Sequence, residues 1–406
     1  MRLSGLVITL LLVCNTPVLP QIKITLEDAI SLAMKNNPEL LEQQSGVAKK
    51  MIELTDAERF PNPSMNFSWE NLSSSGETAG EWVVGGSMPL NFLWERKYNI
   101  ESKRKLIDAQ KLLLEQAKRD LAFRLRKAYL NYHYHTQLVR IYDSTVVLFE
   151  EITRSSEWKL SAGDISHYEL QRIKMETKKY KNDLKLLKQR RDTFFQELCM
   201  LTGSQPGNEY WVTDPIEMKE LFLSEKEIAD QALTKRIDIQ IIQKFIESEM
   251  ANLSYGESKK FPEINLGIGY KRQYDNFAGP VIQLDVEVPL FSRNKKEIDL
   301  ANEELRNLGL QKQMKSDMII TQIKFAFNKY QMMLNSFKTD KIESQNEILD
   351  IALISYAKGE LSLVEFMDGV RAFVDGARLN SELYIDLLQS QHELEYVSGF
   401  NEFTEN

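Results

Sequence analysis

The residue types that carry most protein chemistry are present in this sequence but are not arranged for it. Of four histidines, His133 and His135 stand two apart on a predicted helix and so point to different sides, while His167 and His392 stand alone. There is no glycine-rich phosphate loop, and no serine or cysteine lies in a recognisable nucleophile motif. We therefore expect no catalytic site, no metal site and no cofactor, and we expect all four histidines at the surface.

Carboxylates are the abundant reactive groups, but abundance alone does not make a site. Charged residues make up 27% of the 406 positions, so acidic pairs on long helices are expected by chance as solvated faces. The net charge of −8 comes without a basic stripe, which argues against a nucleic-acid partner. Cys14 and Cys199 are the two cysteines, too few for a cysteine-based metal or redox site.

The elements that carry these side chains are dominated by one long stretch, Leu290 to Phe403, which contains no proline. Within it, apolar residues at i, i+3, i+4 and i+7 predict a single helix from Asn294 to Ala357, on the order of 95 Å long. After Gly359, a second helix from about Leu361 to Phe400 should fold back antiparallel to the first. The predicted apolar stripe of the long helix consists of Leu300, Leu305, Leu308, Met314, Ile319, Ile323, Phe327 and Met333.

An internal duplication organises the rest of the chain. Each half has two short helices, two strand-like runs, a long helix that follows Pro89-Leu90 or Pro289-Leu290, and a return helix after Gly163 or Gly359. We predict a signal peptide at 1–21, a first repeat at 22–203, a linker at 204–222 and a second repeat at 223–403.

The N-terminus predicts export. Met1-Arg2 precedes a short apolar run from Leu3 to Val13, which is typical of a secretory signal peptide, and a buried N-terminal strand is the alternative. The cleavage site stays open, as does lipidation of Cys14, because Val13 is larger than the residue that a lipoprotein signal requires. No later apolar run reaches the 18 residues that a transmembrane helix needs.

Four strands are predicted, at about 64–72, 81–88, 263–272 and 280–288, with polar loops from Asn71 to Gly80 and from Arg272 to Gly279 that we expect at the cell surface. Apolar and polar residues alternate along them, as in strands that separate lipid from water, and a soluble sheet with one wet face is the alternative. Four strands cannot close a barrel, so a membrane barrel must be shared between copies of the chain. The residues expected to face lipid are Met65, Phe67, Trp69, Ile264, Leu266, Ile268, Ile282, Leu284 and Val286.

Several motifs in both halves resemble the TolC-type outer membrane efflux proteins. They are Phe60-Pro61-Asn62-Pro63, Glu70-Asn71, Met88-Pro89-Leu90, Val288-Pro289-Leu290-Phe291 and Tyr356-Ala357-Lys358-Gly359-Glu360-Leu361-Ser362. The resemblance implies a mainly α-helical homotrimer in which four strands per chain form a twelve-stranded outer membrane barrel above a periplasmic α-helical barrel. It also implies an exit duct that works with a periplasmic adaptor protein and an inner membrane pump.

Within that family, the short chain and the Pro-Asn-Pro signature look like the heavy-metal (cobalt–zinc–cadmium type) branch, whose pumps are of the resistance-nodulation-division type. Metal cations, small organic toxicants and secreted peptides all remain open as cargo. A type I secretion duct is the alternative function, and a non-channel coiled-coil protein of the periplasm is a second one.

The resemblance also points to a periplasmic aperture beside Gly359. Glu365 and Asp368 match two acidic positions there, Glu169 matches in the first half, and Tyr356 matches an aromatic residue that helps to latch neighbouring hairpins. In a trimer the acids would form rings that favour cations, whereas ordinary helix-surface acids are the alternative. Leu361 replaces the latch arginine that some family members carry, so a salt-linked closure is not implied.

Overall fold

The computed structural model describes residues 22–204, 210–212, 224–342 and 345–399, so the predicted signal peptide and Cys14 lie outside the described residues. Among the described helices, none combines the length and the apolar composition needed to cross a membrane. The elements follow the order β1 (Ile22–Ile24), α1 (Leu26–Asn36), α2 (Pro38–Ala57), β2 (Ser64–Ser74), β3 (Glu77–Pro89), α3 (Phe92–Ala162), α4 (His167–Thr202), β4 (Tyr210–Val212), α5 (Glu225–Lys235), α6 (Ile237–Ser258), β5 (Glu263–Gln273), β6 (Ala278–Glu287), α7 (Lys295–Thr339), α8 (Gln345–Ala357) and α9 (Leu363–Ser398).

The chain divides into two compact units, one of Met1–Asn36 with Leu125–Glu217 and the other of Asn37–Arg124 with Met218–Asn406. In the first unit, the end of α3 and the start of α4 pack antiparallel. The Phe149 and Tyr180 rings stack at 4.9 Å, and Glu150 pairs with Lys181 at 2.7 Å on the outside. This unit also holds a short parallel pair of β1 with β4. The pair was not predicted, because β4 lies inside the predicted linker.

The second unit contains the remaining helices and the larger sheet. Its helical core is one cluster of buried side chains from α5, α6, α7 and α9. Along α7 these side chains are three or four residues apart, as on the buried face of an amphipathic helix. The cluster consists of Ile228, Ala232, Ile239, Ile319, Ile323, Ala326, Tyr330, Leu387 and Leu394.

The prediction of one unbroken helix from Asn294 to Ala357 was wrong. α7 ends at Thr339, and α8 begins at Gln345. Ile342 has left the helical ladder: its N–H donates to Asn380 Oδ1 at 2.9 Å, and its carbonyl accepts from Asn380 Nδ2 at 2.7 Å. A side chain from α9 thus replaces the helical partners of this residue. Two positions of the predicted stripe are also exposed, Leu300 and Met314.

The four-stranded sheet is antiparallel throughout and has the order β2-β3-β5-β6. Within the described chain, β2 and β6 each pair on one edge only. The strands run further than predicted, since Ser74 pairs with Glu77 and Arg272 pairs with Ala278. The predicted ten-residue loop therefore shrinks to Ser75 and Gly76. Both of these residues have positive φ, as a two-residue hairpin turn requires.

Candidate functional site

The sheet has one apolar and one polar face, and its register decides which residue lies on which. Directly paired residues point to the same side, and neighbours along a strand point to opposite sides. Phe67 pairs with Val84, which pairs with Tyr270. The apolar face therefore collects Met65, Phe67, Trp69, Trp82, Val84, Met88, Ile264, Leu266, Ile268, Tyr270, Ile282, Leu284 and Val286.

The apolar face is largely uncovered in the single chain. Met65 is 87% exposed, Ile282 is 78% exposed and Phe67 is 70% exposed. The nine residues predicted to face lipid all belong to this face. Large exposed apolar patches mark surfaces that contact another protein or a membrane, so we expect one of these to cover this face.

The opposite face is acidic. It carries six acids in the described strands, Glu70, Glu77, Glu81, Glu263, Asp285 and Glu287, and one lysine, Lys271. Lys271 pairs with Glu81 across β3 and β5, which leaves five carboxylates without a cation opposite them on this face. Water that contacts this face would be enriched in cations.

A defined joint connects the sheet to the helices. Leu90, which follows β3, donates its N–H to the carbonyl of Ile264 at 2.7 Å, and the Asn91 side chain accepts the N–H of Ile264 at 2.9 Å. The backbone hydrogen-bonding groups of Ile264, near the start of β5, are therefore paired with the segment that connects β3 to α3. Asn91 also donates to Glu95 at 3.1 Å, which fixes the first turn of α3.

Each long helical hairpin turns by the same device. Gly163 and Gly359 have φ of +85° and +76°, and the residue after each donates its N–H to a carbonyl five positions earlier, which is a Schellman motif. Each return helix then opens with a capping box, formed by Ser166 with Glu169 and by Ser362 with Glu365.

The capping box accounts for Glu365 locally. Its Oε2 accepts both the N–H and the hydroxyl of Ser362 at 2.8 Å, and these bonds lower the pKa of the carboxyl, the backbone bond most. Glu169 is held in the same way by Ser166. Asp368 lies one turn further along α9, is exposed, and pairs with Arg371 at 3.3 Å. The structure thus places Glu365 and Asp368 one turn apart on α9, beside the hairpin turn, and both are accessible to water.

Tyr356 packs against the start of the return helix. Its ring stacks on Phe366 at 4.7 Å, and Phe366 is fully buried. This contact ties the end of α8 to the first turn of α9. The Tyr356 ring is thus engaged within its own hairpin, and a latch to a neighbouring hairpin would be a second role for this residue.

A buried charge network in the second unit had no signal in the sequence. Arg236 and Asp238 form a bidentate pair at 2.6 and 3.0 Å with side chains only 13% and 11% exposed, and Lys315 reaches Asp238 at 3.2 Å. Burial alone would raise the pKa of Asp238, but Arg236 and Lys315 outweigh it and the pKa is lowered. Charged residues at these positions looked like ordinary helix surface, because no local pattern shows that α6, α7 and α9 meet there.

The histidines differ from expectation. His135 is buried, donates its Nδ1–H to the carbonyl of Asn131 at 2.9 Å, and packs on Phe194. His392 is also largely buried, beside Glu395 at 3.0 Å. Both were predicted at the surface, and that prediction was wrong because other helices cover them, which sequence spacing could not reveal. No cluster of three or more metal-ligating side chains occurs among the described residues.

Solved structures share this fold over nearly the whole chain. CusC, reported for conformational changes that accompany folding and transmembrane channel formation, is 19% identical, with a TM-score of 0.74 and 93% of each chain covered. The open state of the Neisseria gonorrhoeae MtrE outer membrane channel is 15% identical, with a TM-score of 0.75, and the match covers 92% of this chain and 88% of that one. The Campylobacter jejuni CmeC outer membrane channel is 15% identical, with a TM-score of 0.73, and the match covers 94% and 87%. No protein-family profile and no curated protein sequence matches the chain.

Proposed function

We propose that this chain, which has the fold of the TolC-type outer membrane channels, is the outer membrane exit duct of a tripartite efflux system. The two-faced sheet with two open edges carries the proposal. Its apolar face suits the lipid of the outer membrane, and its acidic face suits a water-filled lumen. Three copies would supply twelve strands and remove the open edges, which lipid does not tolerate.

The partners follow from that role. A periplasmic adaptor protein and an inner membrane pump, of the resistance-nodulation-division type, would deliver the substrate to the periplasmic end. Small solutes are the proposed cargo, either metal cations or toxic organic compounds. Acids that outnumber the bases on the polar face favour the passage of cations over anions.

The aperture is proposed at the turn beside Gly359. In a trimer, Glu365 and Asp368 would each occur three times around the axis, and Glu169 would add a third set from the first hairpin. Hydrogen bonds from Ser362 lower the pKa of Glu365, which favours the charged form of this carboxylate. Tyr356 is proposed as a support of the closed aperture.

Conductance of the purified protein in planar bilayers tests both the function and the aperture. We expect a detergent-extracted trimer that forms cation-selective channels blocked by multivalent cations. Glu365→Gln with Asp368→Asn removes both charges and should therefore reduce cation selectivity and block. Glutamine can still accept the capping hydrogen bonds, so the start of α9 should be retained. Glu303→Gln with Glu304→Gln, on exposed positions of α7, is the control with the same change in charge.

A soluble monomer without conductance would refute the duct and favour the coiled-coil alternative. Unchanged selectivity and block in the Glu365/Asp368 variant would remove these residues from the aperture while leaving the duct standing. Export of a polypeptide in place of small solutes by cells that carry the system would favour the type I secretion alternative.

A further inference from the structure

The joint between the sheet and the helices contains an open cavity of about 500 Å³, a volume within the range of small-molecule sites. Its lining combines the end of α2, the segment that follows β3, the first turns of α3 and one residue of α6, Tyr255. All of these residues belong to the second unit. The exit duct proposed above assigns them no task.

Two cations and two anions line this cavity. Asp56 and Arg59 lie at the end of α2, and Glu95 and Arg96 lie in the first turns of α3. Asp56 and Arg59 approach to 3.4 Å, but both side chains are largely exposed, so their ion pair is weak and a ligand can compete with it. The lining is therefore neutral overall while it offers charges of both signs.

Arg96 is held by an aromatic ring and a backbone carbonyl. Its guanidinium carbon lies 4.9 Å from the centre of the Phe60 ring, and the same group donates to the carbonyl of Glu58. Its Nε is buried and makes no hydrogen bond within the described residues. A guanidinium that is fixed by stacking and keeps a donor available is well suited to bind a phosphate.

Apolar side chains border the cavity on the side of the strands. Phe60 is 64% exposed and contacts the lining residue Phe92 edge to face at 5.5 Å, and Leu93 beside it is 66% exposed. β2 begins at Ser64 and β3 ends at Pro89, so these residues follow directly on the strands that carry the apolar face. Aromatic side chains at the ends of such strands are typical of the head-group level of a membrane.

The internal repeat contains the bases and the aromatic residue twice. Arg59-Phe60-Pro61 recurs as Lys260-Phe261-Pro262, and Arg96 recurs as Lys296, each seven residues after the proline that follows its hairpin. Phe261 is exposed like Phe60. Only the first joint has the full set of charges, since Lys295 stands at the position of Glu95.

We propose that this cavity binds the head group of a phospholipid, with the phosphate on Arg59 and Arg96 and a primary ammonium on Asp56 and Glu95. This inference rests on the duct proposed above, which places the helical end of the sheet at the periplasmic surface of the outer membrane. A neutral cavity with both signs of charge favours a head group that is itself neutral over an anionic one. Phosphatidylethanolamine has this chemistry, and its acyl chains would lie against Phe60 and the apolar face.

The experiment is a lipid titration of the delipidated full chain in detergent, with the unfolding temperature as the readout. Phosphatidylethanolamine should raise the unfolding temperature. Phosphatidylglycerol lacks the ammonium and phosphatidylcholine lacks its N–H donors, so each should need at least about tenfold more lipid for the same shift. Soluble phosphoethanolamine at the same concentration should give no shift, because it lacks the acyl chains.

Two double variants test the two charges separately. Arg59→Gln with Arg96→Gln should raise the phosphatidylethanolamine concentration at half-maximal shift at least about tenfold, since hydrogen bonds to charged groups are lost. Lys118→Gln with Arg306→Gln, two bases with i,i+3 ion pairs on α3 and α7, is the matched control and should bind as the wild type does.

Asp56→Asn with Glu95→Gln removes the ammonium partners and keeps both bases. This variant should prefer phosphatidylglycerol to phosphatidylethanolamine, a reversal that loss of stability alone cannot produce. It also leaves Arg96 untouched, so it decides the proposal even if the arginine variant does not fold.

Conductance measured on the same samples separates the site from the duct. Equal shifts with all three lipids, or an unchanged preference in the Asp56/Glu95 variant, would overturn the site while a conducting protein leaves the duct standing. A shift with soluble phosphoethanolamine equal to that with the lipid would overturn the assignment to a lipid. Absence of both conductance and lipid preference would refute the duct together with the inference.

Discussion

The acidic residues of this chain show how little a side chain reveals before its neighbours are known. Glu365 was predicted as a pore acid, yet it also completes a capping box with Ser362, which the spacing Ser-x-x-Glu would have indicated. Glu247 was not singled out, although it lies 2.9 Å from Lys244 on its own helix and 2.9 Å from Lys105 on α3. Partners contributed by another helix are invisible in sequence.

Glu247 makes a prediction about pH. Hydrogen bonds from Lys244 and Lys105 lower its pKa from 4.5 to about 2. A group whose pKa falls on folding stabilises the fold above its unfolded pKa, and the contribution is lost as the pH falls from about 4.5 to about 2. Both side chains are partly solvated, so the contribution should be no more than about 1 kcal/mol.

The measurement compares the thermal unfolding of the wild type and Glu247→Gln across this range. The variant should unfold at a lower temperature at pH 6, and the difference should shrink towards pH 2.5. Glu249→Gln, an acid two positions along α6 on a different side, is the control and should show no such convergence. A constant difference would show that the lysines do not act through the charge of Glu247.

At the scale of elements, long helices with a four-stranded sheet could be predicted from periodicity alone, and both are confirmed. The break between α7 and α8 could not be predicted, because it depends on Asn380, which is 38 residues away from Ile342. The ends of the strands were missed for a different reason. Ser73, Ser74 and Glu77 to Gly80 read as loop because they are polar or small, yet the hairpin continues their pairing.

The two faces of the sheet make the second prediction, through adjacent residues on β6. Ile282→Lys places a charge on the apolar face, where a basic residue at the membrane midplane costs about 2–4 kcal/mol. Gln283→Lys places the same charge on the polar face and should be tolerated. We expect the first variant to lose most of the trimer from the outer membrane, as measured by fractionation and detergent extraction, and the second to retain it. Equal recovery of the two variants would show that neither face contacts lipid.

At the scale of the molecule, the Arg236–Asp238 pair joins three helices of the second unit. Arg236 immediately precedes α6 and donates to the carbonyl of Val397 in α9 at 2.9 Å, while Lys315 reaches Asp238 from α7. Removing one partner of a buried pair leaves the other charge without compensation, which costs about 3–5 kcal/mol.

Asp238→Ala should therefore lower the temperature of unfolding markedly. Replacing both partners by apolar residues of similar size, Arg236→Met with Asp238→Leu, should cost much less. Circular dichroism of the detergent-solubilised protein measures both variants. If the double variant is as unstable as the single one, the hydrogen bonds of Arg236 to α9 matter more than the ion pair.

The uncovered apolar face and the two open strand edges have a consequence for how the protein comes into being. A single folded copy would expose side chains such as Met65 and Phe291 to water and offer both edges to any passing strand, which is the usual route to aggregation. In the proposed duct, folding of the sheet and association of the copies would therefore be one event. The yield of the trimer would then depend on the concentration of the chain, since the stability of an obligate oligomer is inseparable from protomer concentration. The helices of the second unit, in contrast, bury a core of their own, so their packing does not require a second copy.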